Sequence, residues 1–246
     1  MVRRPKRVRM VIFDMDGVLV PIHSSWAYIH ERLGVHDEAR KIMEKFIRGE
    51  IDYMRWMEED TGLWVKATGG KITVWDLEKI LSEVSVREEA VEVARWLRRR
   101  GIIFGIISGG IDLLAKRVAR EVGADFFLAN QLSYDKRGRL VPGGKPVVGV
   151  KKHLAVKRVA GEYGIPLENV MFVGDSVWDK EAMEIVGYPV IYGDCDHSEL
   201  LRVAKCRIRD LRELPHLIEH IEREGDCGRW CISPPRRGKP VEGDTH

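Results

Sequence analysis

The chain has 246 residues, 44% of them hydrophobic and 32% charged, which excludes a disordered, collagen-like or coiled-coil protein and leaves room for one large domain or one domain with an insertion. The net charge of +3, from 41 basic and 38 acidic residues, argues against a polyanion such as nucleic acid as the main partner. The longest uncharged apolar stretch, Gly101 to Ile111, is about half of the ~20 residues a membrane span needs, and the first apolar run stops at Asp14, too short for a secretory signal. The expectation is a cytoplasmic enzyme with no membrane partner.

In chain order, Arg3, Arg4, Lys6, Arg7 and Arg9 form a solvated lead-in to a buried strand over residues 8–13, which ends at the polar cluster Asp14-Met15-Asp16-Gly17. Residues 22–84 then change character. Ile42, Met43, Phe46 and Ile47 mark one helix face, and Val74, Leu77, Ile80, Leu81 and Val84 another, with a turn at Gly69-Gly70 between them. Strand–helix alternation is missing there, so the segment reads as an inserted all-helical unit. At Ser85 the pattern resets: Ser85-x-x-Glu88 predicts a capping box opening a helix to Arg100, with Gly101 as its stop. Ile102 to Ile107 reads as a strand, followed by Ser108-Gly109-Gly110 and a helix carrying Leu114, Val118 and Val122. A strand over 125–128, a hairpin turning at Asp135 to Gly138, a helix from about Lys151 to Tyr163 and a strand over 170–173 ending at Gly174-Asp175 follow.

This alternation predicts an α/β fold, a Rossmann-like parallel sheet with helices on both faces, interrupted by the helical insertion. The expected division is a core over residues 1–21 and 85–224, a helical unit over 22–84, and a Gly-, Pro- and Arg-rich tail over 225–246 that is loosely held and dispensable for catalysis. The four cysteines, Cys195, Cys206, Cys227 and Cys231, leave three readings open: a zinc site around Cys227-x3-Cys231, a disulfide, or inert thiols. A single Gln (Gln131) and two Asn (Asn130, Asn169) amid abundant charge give the composition of a heat-adapted protein.

Open parallel sheets build their sites beyond the carboxyl ends of the strands. Asp14 and Asp16 stand at the first strand end, Ser108 at the second, Lys151 and Lys152 at a helix start, and Asp175, Ser176 and Asp179 at a later strand end. Carboxylates converging on one point repel unless a cation sits among them, and oxygen ligands select a hard ion, Mg2+. Such an ion beside a lysine and a hydroxyl makes a phosphoryl site.

Asp14-Met15-Asp16-Gly17-Val18, Ser108, the helix-start lysine and Gly174-Asp175-Ser176-Val177-Trp178-Asp179 together resemble the four motifs of the haloacid dehalogenase superfamily, closest to its phosphoserine-phosphatase-like branch, over about residues 8–224. The resemblance implies a nucleophile at Asp14 that forms an aspartyl-phosphate, and a general acid and base at Asp16. It implies Mg2+ held by Asp14, the Asp16 carbonyl and Asp175, with Asp179 assisting. Phosphate would be held by Ser108, the Gly109 amide and Lys152, which lies 23 residues before Asp175; Lys151 is the rival if the helix starts one residue earlier. An acid at Asp16 favours phosphate-ester chemistry over dehalogenation. The implied activity is hydrolysis of a small phosphorylated metabolite. Phosphoserine phosphatase, phosphomutase and a non-catalytic binding module on the same fold are the alternatives. The insertion falls where the family places a helical cap that closes over the site.

Departures from the branch bear on the substrate. His23 stands where an early cap glutamate would hold the serine amine, and Glu58 is matched to the arginine that would bind the serine carboxylate; a one-turn shift would bring Arg55 there instead. Trp178 replaces the asparagine that usually precedes the last aspartate. Tyr28, Tyr53 and the cap tryptophans could stack on a ring or hydrogen-bond a polyol. The expectation is a neutral or hydroxyl-rich leaving group and weak hydrolysis of phosphoserine.

Overall fold

Four consecutive apolar residues form strand β1 (Met10–Phe13), buried along its whole length. In the computed structural model, which describes residues 7–194 and 197–232, the chain then builds α1 (Ser25–Arg32), α2 (His36–Ile47), α3 (Tyr53–Ala67) and α4 (Val74–Ser82) before α5 (Glu88–Arg99) returns it to the sheet. There follow β2 (Ile103–Ile111), α6 (Asp112–Val122), β3 (Phe126–Tyr134), β4 (Leu140–Lys145), α7 (Lys152–Glu162) and β5 (Val170–Gly174). The remainder is α8 (Lys180–Ile185), β6 (Tyr188–Tyr192), α9 (Ser198–Val203), β7 (Cys206–Ile208) and α10 (Leu214–Glu224).

The strands make one sheet in the order β4-β3-β2-β1-β5-β6-β7. Every pairing is parallel except the β3–β4 hairpin. Strand β1 lies between β2 and β5, with Phe13 in register with Ile106 and Val173. The strand order switches direction there, and a crevice opens beyond the carboxyl end of β1. The alternation of β1 side chains divides the core: Val11 and Phe13 join an apolar cluster with Val93 and Leu97 of α5, Leu114 and Val118 of α6, and Leu217 of α10. Met10 and Ile12 face the other way, into a cluster with Val156 of α7, Met183 of α8 and Leu200 of α9.

The helical insertion is capped by its own residues: Ser24 accepts from the Ala27 amide, Asp52 from Arg55, and Thr73 with Asp76 forms a capping box. Its apolar stripes (Ile29, Met57, Trp64, Leu77 and Leu81) belong to the same cluster as Val11 and Phe13. It also grips the β3–β4 hairpin, where the Gly143 amide donates to Thr61 Oγ1 (2.7 Å) and the Leu140 amide to the Ile72 carbonyl (2.9 Å).

The structure corrects three expectations and decides among the readings left open for the cysteines. The Ser85–Glu88 capping box does not form; Arg87 precedes α5 without a side-chain cap, because its amide donates to the Leu19 carbonyl and holds this stretch against the β1 loop. On α2, Ile42 is buried but Ile47 is exposed, so the inward face is narrower than its apolar residues suggest. Cys227 is not half of a zinc pair: it forms a disulfide with Cys206, and Cys231 is a free, exposed thiol. Residues 225–232 are not loose, since that disulfide, the buried Trp230 and the Ile232 amide bound to the Lys205 carbonyl fasten them to β7 and α10. Arg3, Arg4, Lys6, Cys195 and the tail from residue 233 lie outside the described residues.

Candidate active site

The Asp14 amide donates to the Val173 carbonyl (2.9 Å), continuing the β1–β5 ladder by one residue and bringing the Asp14 carboxylate to the mouth of the crevice. Lys152 opens α7 and is 2% exposed. Its Nζ lies 2.9 Å from Asp14 Oδ2 and also bonds Asp179 Oδ1. Burial alone would lower the lysine pKa, but the Asp14 and Asp179 carboxylates outweigh it and raise the value. Lys151 is the exposed residue before the helix. Lys152 is the lysine brought to the site.

Asp179 is fully buried, and its Oδ2 accepts from the Asp175 and Ser176 amides (3.0 and 3.1 Å), fixing the loop after β5. Burial first, partly offset by Lys152, raises its pKa to about 6. Asp175 is pushed up to about 8 by burial and then by the charges of Asp14 and Asp179. Oxygen atoms of Asp14, Asp175 and Asp179 all lie within 4.8 Å of one another. An all-oxygen carboxylate set this close, with an Asp175 so reluctant to ionise, fits a hard divalent cation. Gly17 makes the approach possible: its φ is 78°, and a Cβ there would sit 1.9 Å from Asp175 Oδ2.

Asp16 is raised to about 7, chiefly by burial, with the Ser25 amide pulling the other way. Its Oδ2 accepts from both the amide and the hydroxyl of Ser25 (2.7 and 2.8 Å), while Oδ1 is buried without a partner. A carboxyl group in the cavity wall whose pKa is raised to about 7, with one oxygen free of hydrogen bonds, can both give and take a proton. Ser108 is buried, and its Oγ accepts from the Gly110 amide (3.1 Å), which leaves the hydroxyl proton to donate. Behind it, Asn130 ties three segments together. Its Nδ2 donates to the Gly109 carbonyl (2.7 Å) and Tyr53 Oη (2.8 Å), and its Oδ1 accepts from the Val148 and Gly149 amides.

These groups floor a cavity of about 330 Å³ whose walls come from the insertion and from Trp178. His23 and Tyr53 line it; Arg55 and Glu58 do not. Those two pair with each other at 2.9 Å on the outer surface, and Arg55 also bonds Glu59. The inward stripe of α3 is Tyr53, Trp56, Met57 and Asp60, so the residue that reaches the cavity is Asp60, two positions beyond Glu58. Tyr28 is likewise outside, bonded to Arg32 and Glu83. Sequence reasoning missed Ser25, Asp60 and the linking role of Asn130. For Asp60 a signal existed, since it follows Tyr53 by two helical turns.

Carboxylates from the ends of β1 and β5, the Ser108 hydroxyl of β2 and a buried lysine at the start of α7, gathered at one edge of a parallel sheet, define a hydrolase-type site built for an anion. The chain belongs to the haloacid dehalogenase-like hydrolases, whose family model matches residues 8–187. It is 32% identical to a phosphoserine phosphatase of Archaeoglobus fulgidus over 75% of this chain, which spans 52% of that protein, about half its length. It is 26% identical to a phosphoserine phosphatase of Methanocaldococcus jannaschii over 87% of this chain and 99% of that one. Among solved structures, a phospho-aspartyl intermediate analogue of phosphoserine phosphatase superposes with a TM-score of 0.71 at 25% identity, covering 86% of this chain and 99% of that chain.

Proposed function

We propose that this protein is a Mg2+-dependent phosphatase that hydrolyses small phosphomonoesters through an aspartyl-phosphate. The observation that carries the reading is the buried Lys152 between Asp14 and Asp179 at the end of β1, with Asp175 beside them. Asp14 attacks phosphorus through a carboxylate oxygen, and the bond to the leaving oxygen breaks. Asp16 gives its proton to that oxygen, then takes one from the water that cleaves the aspartyl-phosphate and frees inorganic phosphate. Ser108, the Gly109 amide and Lys152 hold the phosphoryl oxygens. Asp14, the Asp16 carbonyl and Asp175 would hold Mg2+, with Asp179 positioning Asp175 and Lys152. The ion, when bound, supplies charge neutralisation of the phosphoryl group.

The cavity suits a small phosphorylated metabolite, and no described helix is long and apolar enough to cross a membrane. Cytoplasmic placement, and independence from nucleic acid, are part of this reading. The phosphoserine phosphatases to which the chain is similar favour phosphoserine as a second reading. Against it, Lys152 is the only lysine or arginine among the described lining residues and is already paired with Asp14 and Asp179. A substrate carboxylate would be left without a cation, so a leaving group lacking one is preferred.

The test is phosphate release from an aryl phosphate with and without Mg2+, by the wild type and by Asp14→Asn, followed by phosphoserine beside a panel of phosphometabolites. Mg2+-dependent release that vanishes in the variant is expected. Release by the variant at more than a trace of the wild-type rate would refute the mechanism, and phosphoserine as best substrate would favour the second reading.

A further inference from the structure

We propose that Asp60, held in place by His30, is the acceptor for a cationic leaving group, so that the preferred substrates are phosphomonoesters of amino alcohols. The inference rests on the phosphatase reading above and names its substrate class.

Asp60 is 3% exposed and lines the same cavity from α3 of the helical insertion. The orientation of its side chain follows from a chain of donors. Trp64 Nε1 donates to His30 Nδ1 (2.9 Å). An indole N–H can only donate, so Nδ1 presents its lone pair and the ring proton sits on Nε2. That nitrogen lies 3.4 Å from Asp60 Oδ2. His30 and Trp64 are buried, so the relay is fixed by packing. It leaves Asp60 Oδ1 buried with no hydrogen-bond partner.

An unpaired buried carboxylate oxygen is costly, and burial raises the Asp60 pKa accordingly. Such a group is retained in a cavity wall where a ligand completes it. His30 is spent on Oδ2, and the Trp56 indole N–H, the other donor beside this carboxylate, makes no hydrogen bond of good geometry with Oδ1. A donor with positive charge would complete it. The surrounding wall agrees: Trp26, Tyr53, Trp56 and Trp178 line the same cavity, with Tyr53 and Trp56 edge to face at 5.5 Å and Trp56 and Trp178 at 6.4 Å. Aromatic faces accept a cation and its attached CH groups and offer nothing to an anion. The cavity is therefore polarised. Its floor, with Lys152, takes a phosphate, and its roof takes an ammonium. The neutral, hydroxyl-rich leaving group expected from the sequence gives way to a charged one because Asp60, rather than Glu58, faces inward. Phosphoserine carries the ammonium too, but its carboxylate would lie in a cavity that already holds an unpaired one.

The experiment compares kcat/KM for 2-aminoethyl phosphate, its N-trimethyl analogue, neutral propyl and 3,3-dimethylbutyl phosphates, and phosphoserine. A charge-assisted hydrogen bond corresponds to a preference of about 10- to 100-fold for each cation over its neutral counterpart. A larger effect for the primary ammonium assigns it to the Oδ1 hydrogen bond; an equal effect for the trimethyl analogue assigns it to charge and the aromatic wall. In Asp60→Asn the cation-to-neutral ratio should fall to near one, and a ratio cancels any loss of total activity. The wild-type panel stands without the variant. Neutral esters matching the cations, or a ratio unchanged in Asp60→Asn, would overturn the proposal. Failure to hydrolyse any aryl phosphate would instead sink the phosphatase reading. Calorimetric binding of 2-aminoethyl against propyl phosphate to the Mg2+-loaded protein then decides the role of Asp60 independently of turnover.

Discussion

Ser25 governs the proton chemistry from outside the motifs. It is fully buried at the start of α1, gives Asp16 Oδ2 both its amide and its hydroxyl, and accepts the Ile111 amide (3.1 Å) on the same Oγ. With that amide on its lone pair, the hydroxyl proton is directed at Asp16. Ser25→Ala removes one of two bonds to a carboxyl group while leaving backbone and packing in place. It is expected to lower kcat by about 10-fold or more, from one charge-assisted hydrogen bond, with little change in Tm. An unchanged kcat would mean that the Ser25 amide alone orients the acid. The groups that the structure gathers (Asp14, Asp16, Ser108, Lys152, Asp175 and Asp179) were legible because each sits where an apolar run gives way to polar residues or a helix begins, and chain direction alone puts those points together, although β2 continues past Ser108 to Ile111. Ser25 was not legible, and Asp60 only in part: its spacing from Tyr53 marks a shared helix face, but helical periodicity does not say what that face meets. The choice between Lys151 and Lys152 needed the helix start to a single residue, which patterns do not give.

At the scale of elements, the central strands announce themselves as apolar runs, while the far edge is hidden. Strand β6 contains Pro189, a residue that argues against a strand, and β7 has three residues with Arg207 in the middle. Both are held by what lies beside them. Cys206 of β7 is joined to Cys227 across a sequence separation of 21, Cys206 also bridges Cys231 in backbone pairing, and Trp230 Nε1 donates to Glu213 Oε2 (2.7 Å). A composition rich in Gly, Pro and Arg read as a loose tail because a disulfide and one buried indole leave no periodic trace. Closing a loop of that length is worth about 3 kcal/mol, so Cys227→Ser should lower Tm by roughly 10 °C. Since β7 lies two strands from β5 and its site loop, kcat should stay within a few-fold. Truncation after Glu224 removes the disulfide and Trp230 together and should cost at least as much stability. Calorimetry under oxidising conditions checks both, and an unaltered Tm would mean that the bond does not form in solution.

For the molecule as a whole, fold and site oppose each other electrostatically. Asp16, Asp175 and Asp179 have folded pKa values of about 7, 8 and 6, against 3.8 as the ordinary value. The folded chain therefore holds protons that the unfolded chain has released. The stability from this source is fully present below about pH 4 and is lost as pH rises through 6 to 8. Metal-free protein should show a Tm that falls between pH 5 and pH 9, and Mg2+, which takes the ionised carboxylates, should raise Tm more at pH 8 than at pH 6. A Mg2+ effect independent of pH would contradict the assignment of these carboxylates to the metal. The all-helical insertion shares its apolar cluster with the sheet, so the two are stabilised through one core. Everything turns on whether Asp14 bonds to phosphorus. Acid-quenching the wild-type enzyme during turnover of an aryl phosphate with Mg2+, then mapping hydroxylamine-labile phosphate by mass spectrometry, tests this directly. The account predicts an acyl phosphate on Asp14; full turnover with no phosphate on Asp14 at any quench time, or with phosphate on another residue, would contradict it.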